Sequence, residues 1–309
     1  MEKRILIGVN DSIYSRRAVE YAVRMGSSVK SLSYTLFNVQ PKVSDFLLED
    51  AKTDPKARSA LKDVINKNQE NSKELVEKYK SQMIKLGAEE KRIETVTQAK
   101  IMGTAKDILH YGEQCLCDAI VLGRRGVTSL EEAFIGSVTN SVLEHSSVIP
   151  IWAIGREVTS SKIMVAIDGS ESALNAVDHI SFMVGDNPDT KVTLLHVTPR
   201  LRDYCTIEFG EEGEPVQEII TQGDKRCVDG FYVHAWQKFE EVGIAEDQID
   251  IKEVKTTINV GKTIVDEAEK GNYGTVVIGR RGVNKSFFLG SVSRYVLAKA
   301  SNCAVWLVP

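Results

Sequence analysis

The chain has 309 residues, of which 42% are hydrophobic and 27% charged, and its formal net charge is −4. This composition is ordinary for a globular protein long enough to form two domains, and the weak negative charge gives no bulk reason to expect binding to nucleic acid or to an anionic membrane. The N-terminal apolar stretch is too short for a signal peptide, and no apolar run approaches the roughly 18 residues of a membrane span. Five cysteines without paired spacing suit a reducing compartment, so we expect a cytoplasmic protein.

In the first half, short apolar runs alternate with segments of helical periodicity. The first strand ends at Asn10-Asp11-Ser12, whose polar side chains can cap a helix from about residue 15 to 25. Residues 42–55 are charged and loop-like, and residues 66–86 predict a long amphipathic helix. The predicted strands of this half are 5–9, 33–39, 93–97, 119–122 and 148–152.

The second half repeats this order. Lys162 lies 158 positions after its counterpart Arg4, and Trp306 lies 154 positions after Trp152, so the offset drifts only slightly along the half. A repeat of this length indicates a duplicated domain rather than a solenoid unit. We therefore predict two domains, residues 1–155 and 161–309. The second-half strands are predicted at 163–167, 191–197, 249–254, 275–278 and 303–306, with residues 200–214 as an acidic loop and a helix from about 224 to 242.

Strands that alternate with helices favour right-handed crossovers and a parallel sheet. The predicted fold class is α/β, with two duplicated domains, each a five-stranded, mostly parallel sheet with helices on both faces, of Rossmann-like type. Ligands on such sheets bind at the carboxyl ends of the strands, near the switch in strand order.

A glycine motif occurs once in each half at this predicted edge. Gly-Arg-Arg-Gly-Val spans 123–127 and again 279–283, each time after an apolar run, and Gly-Ser-Val follows at 136–138 and 290–292. Glycine allows the backbone to approach a phosphate, and the N–H groups at a helix start favour negative charge. The motif therefore predicts an anion site in each half, or one working site and one relic.

These residues resemble the universal stress protein family in its tandem form, over essentially the whole chain. Nucleotide-binding members carry Gly, two residues, Gly, nine residues, then Gly-Ser or Gly-Thr. The first half matches in full, with nine residues between Gly126 and Gly136-Ser137. The second half departs, because only seven residues separate Gly282 from Gly290. The resemblance also implies an adenine nucleotide alpha hydrolase-like fold.

In similar proteins the phosphates lie against the glycine segments, and adenine lies near an aspartate after the first strand and a valine ending the second. The second half has Asp168 and Val197 there, whereas the first half has Val39 but carries Asn10 in place of the aspartate. Asparagine keeps a carbonyl acceptor and adds donors, whereas the second half has lost two residues between its glycine segments, so we favour the first half as the better phosphate site. One arginine of each pair could also face the phosphates. The expected nucleotide-binding residues are Asn10, Val39, Gly123, Arg124, Gly126, Gly136, Ser137, Val138, Asp168, Val197, Gly279, Arg280, Gly282, Gly290, Ser291 and Val292.

The last strand of each half carries a tryptophan, Trp152 or Trp306. In similar proteins the final strand of one domain pairs with that of a second domain, and such pairing removes an exposed sheet edge. We therefore expect an internal pseudo-dimer. Whether two chains also associate stays open.

The resemblance implies a regulatory stress-response protein that binds ATP, ADP or AMP, with Mg²⁺ accompanying the phosphates. We expect a protein partner to bind the segments that differ between the halves, 42–90 and 200–246. Two alternatives stay open: a slow ATP hydrolase, for which the sequence offers no identifiable base, and a nucleotide-free dimerisation or scaffold module. The sequence assigns no catalytic residue and no protein-held metal.

Overall fold

The computed structural model describes residues 2–29, 31–124, 136–185, 187–198, 213–256, 259–282 and 289–309. These ranges contain ten β-strands and nine α-helices, together with two single turns of 3₁₀ helix. None of the described helices is long and apolar enough to cross a membrane.

The first half contains five strands and five helices among its described residues. They are β1 (Lys3–Gly8), α1 (Ile13–Ser28), β2 (Leu32–Val39), α2 (Asp45–Asp50), α3 (Pro55–Lys85), β3 (Ile93–Gln98), α4 (Thr104–Gln114), β4 (Ala119–Gly123), α5 (Ser137–His145) and β5 (Ile151–Ile154).

The second half repeats the pattern within the ranges that the structure describes. Its elements are β6 (Ile163–Ile167), α6 (Glu171–Val184), β7 (Val192–Thr198), α7 (Gly213–Glu241), β8 (Ile249–Lys255), α8 (Val260–Lys270), β9 (Thr275–Gly279), α9 (Ser291–Lys299) and β10 (Ala304–Val308).

All ten strands form one continuous sheet in the order β3-β2-β1-β4-β5-β10-β9-β6-β7-β8. Neighbouring strands within each half are parallel, which confirms the predicted fold class. The join between halves is antiparallel, with Trp152 opposite Trp306. The two strands that would otherwise be sheet edges therefore pair with each other, as the sequence predicts.

The helices that follow β1 and β6 begin at the polar caps expected from the sequence. Ser12 Oγ accepts a hydrogen bond from the Ser15 N–H at 3.2 Å, and Ser170 Oγ accepts one from the Ala173 N–H at 3.2 Å. Each cap satisfies one N–H group that has no partner within its helix. The same local chemistry therefore starts the first helix of both domains.

The long helices differ most from the prediction. Helix α3 begins at Pro55, eleven residues before the predicted start, because Asp54 accepts from the Lys56 N–H at 2.9 Å and proline suits the first helical position. The preceding segment, predicted as loop, contains α2. Helix α7 begins at Gly213 rather than near residue 224. The predicted acidic loop, up to residue 212, falls outside the described residues.

A hydrophobic core lies on each face of the sheet and spans both halves. One core contains Ile5, Trp152 and Trp306, and the other contains Leu6 and Met164, so alternate residues of a strand enter opposite cores. Because each core includes residues of both halves, burial of apolar surface stabilises the join between them.

Candidate functional site

The first candidate site lies where the strand order reverses. Strand β1 lies between β2 and β4, and its Gly8 is opposite Phe37 on one side and Leu122 on the other. The residues that follow these strands therefore share one edge of the sheet. Asn10 and Gly123 accordingly lie at the kind of edge where open α/β sheets bind ligands.

Asn10 organises the loop after β1. Its Oδ1 accepts hydrogen bonds from Ser12 Oγ at 2.7 Å and Ser15 Oγ at 2.8 Å, while its backbone N–H donates to Ser15 Oγ at 2.9 Å. Both lone pairs of the amide oxygen are thus occupied. This corrects the expectation that Asn10 offers an acceptor to adenine: within the described residues only its Nδ2 amide lacks a partner, so Asn10 can present a donor.

A cleft of about 490 Å³ opens beside this loop. Asn10 and Val39, both expected in the site, line the same cleft. Most of the remaining wall comes from α3 and from Pro41, which the sequence reasoning missed. The lining residues are Asn10, Asp11, Asn38, Val39, Pro41, Asn68, Asn71, Ser72, Glu74, Leu75 and Lys78.

Tyr79 fixes α3 against this loop. Its hydroxyl donates to the backbone oxygen of Asn10 at 3.0 Å, and burial raises the pKa of the hydroxyl, which keeps it protonated as a donor. The side chains of Asn68, Asn71 and the buried Ser72 share one helix face with the half-buried Leu75. The sequence signal that could have identified this wall is the set of polar residues that interrupts an otherwise apolar stripe of the helix.

The glycines of the first site serve two different purposes. A Cβ on Gly123 would lie 2.3 Å from the Tyr14 carbonyl oxygen, so glycine is required there by the close approach of α1. Gly123 is not among the described residues with positive φ, so close packing rather than a left-handed backbone is what requires glycine there. Gly136 has φ +78°, and a Cβ there would meet no atom of the described residues within 4 Å. Gly136 thus combines a left-handed conformation with space left by the described part of the chain.

Helix α5 begins directly after Gly136. The first helical hydrogen bond runs from the Asn140 N–H to the Gly136 oxygen at 2.9 Å, so the N–H groups of Ser137 and Val138 precede it. Ser137 is exposed, and Thr139 donates from Oγ1 to the Gly123 oxygen at 2.9 Å. The structure therefore joins the glycine turn to this helix start. Gly126, also expected in the site, lies outside the described residues.

The first arginine of each motif, Arg124 or Arg280, is occupied elsewhere. Arg124 is 1% exposed, and its guanidinium donates to the carbonyl oxygens of Leu297 and Ala300 at the end of α9. Arg280 donates to Leu143 and Ser146 at the end of α5, at 2.5 and 2.6 Å. We therefore correct the expectation that these side chains face the phosphates, because each is buried against the opposite half.

The second half brings together a different part of the expected set. Gly282 lies against Asp168, since a Cβ on this glycine would be 2.9 Å from Asp168 Oδ2. Asp168 is exposed, and its Oδ1 accepts from the Ser170 N–H at 3.1 Å. Val197, at the end of the neighbouring strand, is buried. The strand end and the glycine turn therefore meet, as the sequence predicts.

The helix start of the second half has its own geometry. Gly290 has φ −60°, unlike Gly136, and is followed by Ser291 and Val292 in the first turn of α9. Ser293 donates from Oγ to the Gly279 oxygen at 2.7 Å, which repeats the contact made by Thr139. The shorter spacing of the second motif thus accompanies a different backbone conformation at its second glycine.

Metal ligands are not clustered at either site. The described part of the chain contains no group of three or more histidine, cysteine, aspartate or glutamate side chains that could hold a metal ion. Lys78 pairs with Asp11 across 3.5 Å at the mouth of the cleft, where both side chains are largely exposed.

Comparison with known proteins gives a family and a fold. The universal stress protein family matches residues 1–154 and again residues 159–309. A search of curated proteins finds no match. A universal stress protein from Archaeoglobus fulgidus is similar over 99% of this chain and 97% of its own, with a TM-score of 0.68 and 20% identity. A functionally unknown protein from Pseudomonas aeruginosa is similar over 99% and 92%, with a TM-score of 0.57 and 15% identity. At these identities the solved structures support the fold alone.

Proposed function

The chain belongs to the universal stress protein family, and on that premise we propose that its first half binds an adenine nucleotide. The phosphates would contact the backbone of the glycine turn and the start of α5, and the nucleoside would occupy the cleft beside α3. One observation carries this proposal. The cleft lined by Asn10 and Val39 opens at the same sheet edge as Gly123 and the Gly136–Ser137 helix start.

The size and chemistry of the cleft suit a nucleoside. Its volume of about 490 Å³ lies within the range of roughly 300–1,000 Å³ typical of small-molecule sites. Asn68 and Asn71 make no hydrogen bond within the described residues and offer donors and acceptors, while Leu75 and Val39 supply apolar surface. The flat adenine ring, with polar groups at its edge, is complementary to such a wall.

Among the described residues, neutral backbone N–H groups rather than charged side chains face the proposed phosphate position. With Arg124 turned into the interface, the attraction available from the described residues comes from the N–H groups of Ser137 and Val138 and from the α5 dipole. Mg²⁺ bound with the nucleotide would therefore be held mainly by the phosphates, and it would neutralise part of their charge.

We assign the protein a regulatory role rather than rapid catalysis. Asp11, a carboxylate within the loop after β1, has a largely exposed side chain and pairs with Lys78, so the fold does not fix it as a base. Nucleotide occupancy would instead change the position of α3, which Tyr79 ties to the Asn10 loop. A protein partner that contacts α3 would sense that change. The four described cysteines are free, which is in keeping with a cytoplasmic location.

Equilibrium dialysis with labelled ATP tests the proposal. Asn71→Trp, an exposed position on the cleft wall, should fill the cleft and weaken binding at least about tenfold, the equivalent of roughly 1.4 kcal/mol. Lys73→Trp is the matched control, because Lys73 is exposed on the same helix but does not line the cleft. Equal loss in both variants, or no binding by the parent chain, would contradict the proposal. The latter result would favour the nucleotide-free scaffold.

A further inference from the structure

The arginines of the two glycine turns link the candidate sites to each other. Arg124 follows Gly123 of the first site, yet its side chain holds the end of α9, the helix that starts at the second site. Arg280 follows Gly279 of the second site and holds the end of α5, the helix that starts at the first site. The relationship is reciprocal across the β5–β10 join.

Each turn is also bound to the helix of its own half. Thr139 in α5 donates to the Gly123 oxygen at 2.9 Å, and Ser293 in α9 donates to the Gly279 oxygen at 2.7 Å. The Arg280 carbonyl accepts from the Gly290 N–H at 3.1 Å. The contacts therefore form a closed ring: first turn, α9, second turn, α5, and back to the first turn.

Because α5 and α9 are short, contacts at the C-terminal end of each helix also restrict the position of its N-terminal end. Helices α5 and α9 have nine residues each, so they are only about 13 Å long. The last carbonyls of a helix lack partners within it, and a cation there also interacts favourably with the helix dipole. Arg280 contacts the oxygens of Leu143, Glu144 and Ser146 together. A planar, rigid guanidinium that binds three carbonyls fixes the direction of the helix as well as its end.

We propose that Arg124 and Arg280 are positioning residues that act across the join: each orients the phosphate-binding helix of the opposite half. This inference rests on the proposed function, since it concerns the affinity of the same sites. The candidate site of each half therefore depends on an arginine from the other half.

The test measures the effect of an arginine on the site it does not belong to. Asp168→Trp places an indole at the second site and so isolates the first. In that background, Arg280→Lys should weaken ATP binding at the first site about tenfold, because lysine keeps the positive charge but lacks the planar guanidinium that binds several carbonyls at once. Tyr21→Phe is the control: Tyr21 OH accepts from Trp306 Nε1 at 2.9 Å and pairs with Thr275 Oγ1 within the join, and among the described residues it makes no hydrogen bond to α5 or α9, so its removal should leave that affinity unchanged.

A second measurement needs no nucleotide. In Arg280→Lys, amide hydrogen exchange should become faster at Asn140 and Ser141 of α5 and stay unchanged in α9. In Arg124→Lys, exchange should become faster in the first turn of α9 and stay unchanged in α5. If Arg280→Lys leaves both α5 exchange and first-site affinity at parental values, the inference is overturned. If the parent binds no ATP while the exchange pattern follows the arginines, the proposed function fails and the positioning role stands.

Discussion

The indoles of Trp152 and Trp306 stack with centroids 3.8 Å apart and planes 2° from parallel, directly across the antiparallel join. Each indole N–H donates into the opposite half: Trp306 to Tyr21 OH at 2.9 Å and Trp152 to His179 Nε2 at 3.1 Å. Both tryptophans are fully buried. The centre of the molecule is therefore a pseudo-symmetric aromatic cluster built by both domains.

Truncation of this stack should destabilise both domains together. Trp306→Ala removes a fully buried indole and should lower the free energy of unfolding by about 3–5 kcal/mol, the range for Trp-to-Ala changes in cores. Urea denaturation monitored by circular dichroism measures the loss. Trp236→Ala, at a half-buried position on α7 outside the join, should cost less. A larger loss for Trp236→Ala would show that the stack is not the main support of the join.

His179 should make stability depend on pH. Burial lowers the pKa of its imidazole to about 4, and the nearby Asp178 carboxylate opposes this only weakly. The unfolded pKa is higher, so His179 contributes stability that is fully present above about pH 6.5 and is lost as pH falls through about 4. The loss should reach about 2–3 kcal/mol near pH 4.5.

The non-titrating variant His179→Gln isolates this effect, because glutamine can still accept from Trp152. Urea unfolding of parent and variant at pH 7.5 and pH 4.5 gives the comparison. The parent should lose about 2–3 kcal/mol more than the variant between these pH values. Identical pH dependence in the two proteins would show that protonation of His179 does not oppose folding.

Tyr21 should stabilise the join through its hydroxyl alone. Burial raises the pKa of Tyr21, so the group stays protonated, and it pairs with Thr275 Oγ1 at 2.8 Å while accepting from Trp306. Tyr21→Phe keeps the ring but leaves a buried indole N–H without an acceptor, which should cost about 1–3 kcal/mol of unfolding free energy. Tyr14→Phe, on the same helix but outside this cluster, should be close to neutral.

Alanine substitutions at Gly123 and Gly136 of the first site should destabilise the fold for different reasons. Gly123→Ala brings a Cβ against the Tyr14 backbone and should destabilise the fold by about 1–3 kcal/mol or more through overpacking. Gly136→Ala meets no neighbour among the described residues but forces alanine to φ +78°, at a cost of about 1–2 kcal/mol. Thermal unfolding with ATP titration separates the effects, and a more stable Gly123→Ala than Gly136→Ala would contradict the packing argument.

The sequence predicted the duplicated fold because strand runs, caps and the glycine motif are local signals repeated at a nearly constant offset. It also located Asn10 and Val39 at one edge, since parallel strand ends must meet there. The strand predicted at 191–197 is observed at Val192–Thr198, and its His196 is buried, with Nδ1 3.2 Å from the Ile167 oxygen.

What the sequence could not show depends on contacts between distant segments. Arg124 and Leu297 are far apart in the chain, and nothing local indicates that one holds the end of the other's helix. The occupied oxygen of Asn10 likewise follows from the positions of Ser12 and Ser15 after folding. The α3 wall belongs to the part of the chain that differs between halves, so the family motif gave no guide to it.

The most direct test of the account is the identity and amount of nucleotide released when the purified protein is denatured. Mass spectrometry of the parent is compared with Gly126→Ala/Gly136→Ala and with Gly282→Ala/Gly290→Ala. The account predicts near-stoichiometric adenine nucleotide from the parent and its loss in the first double variant. A parent that is released empty and binds no added ATP would contradict it, and the glycines would then serve only to form the turns.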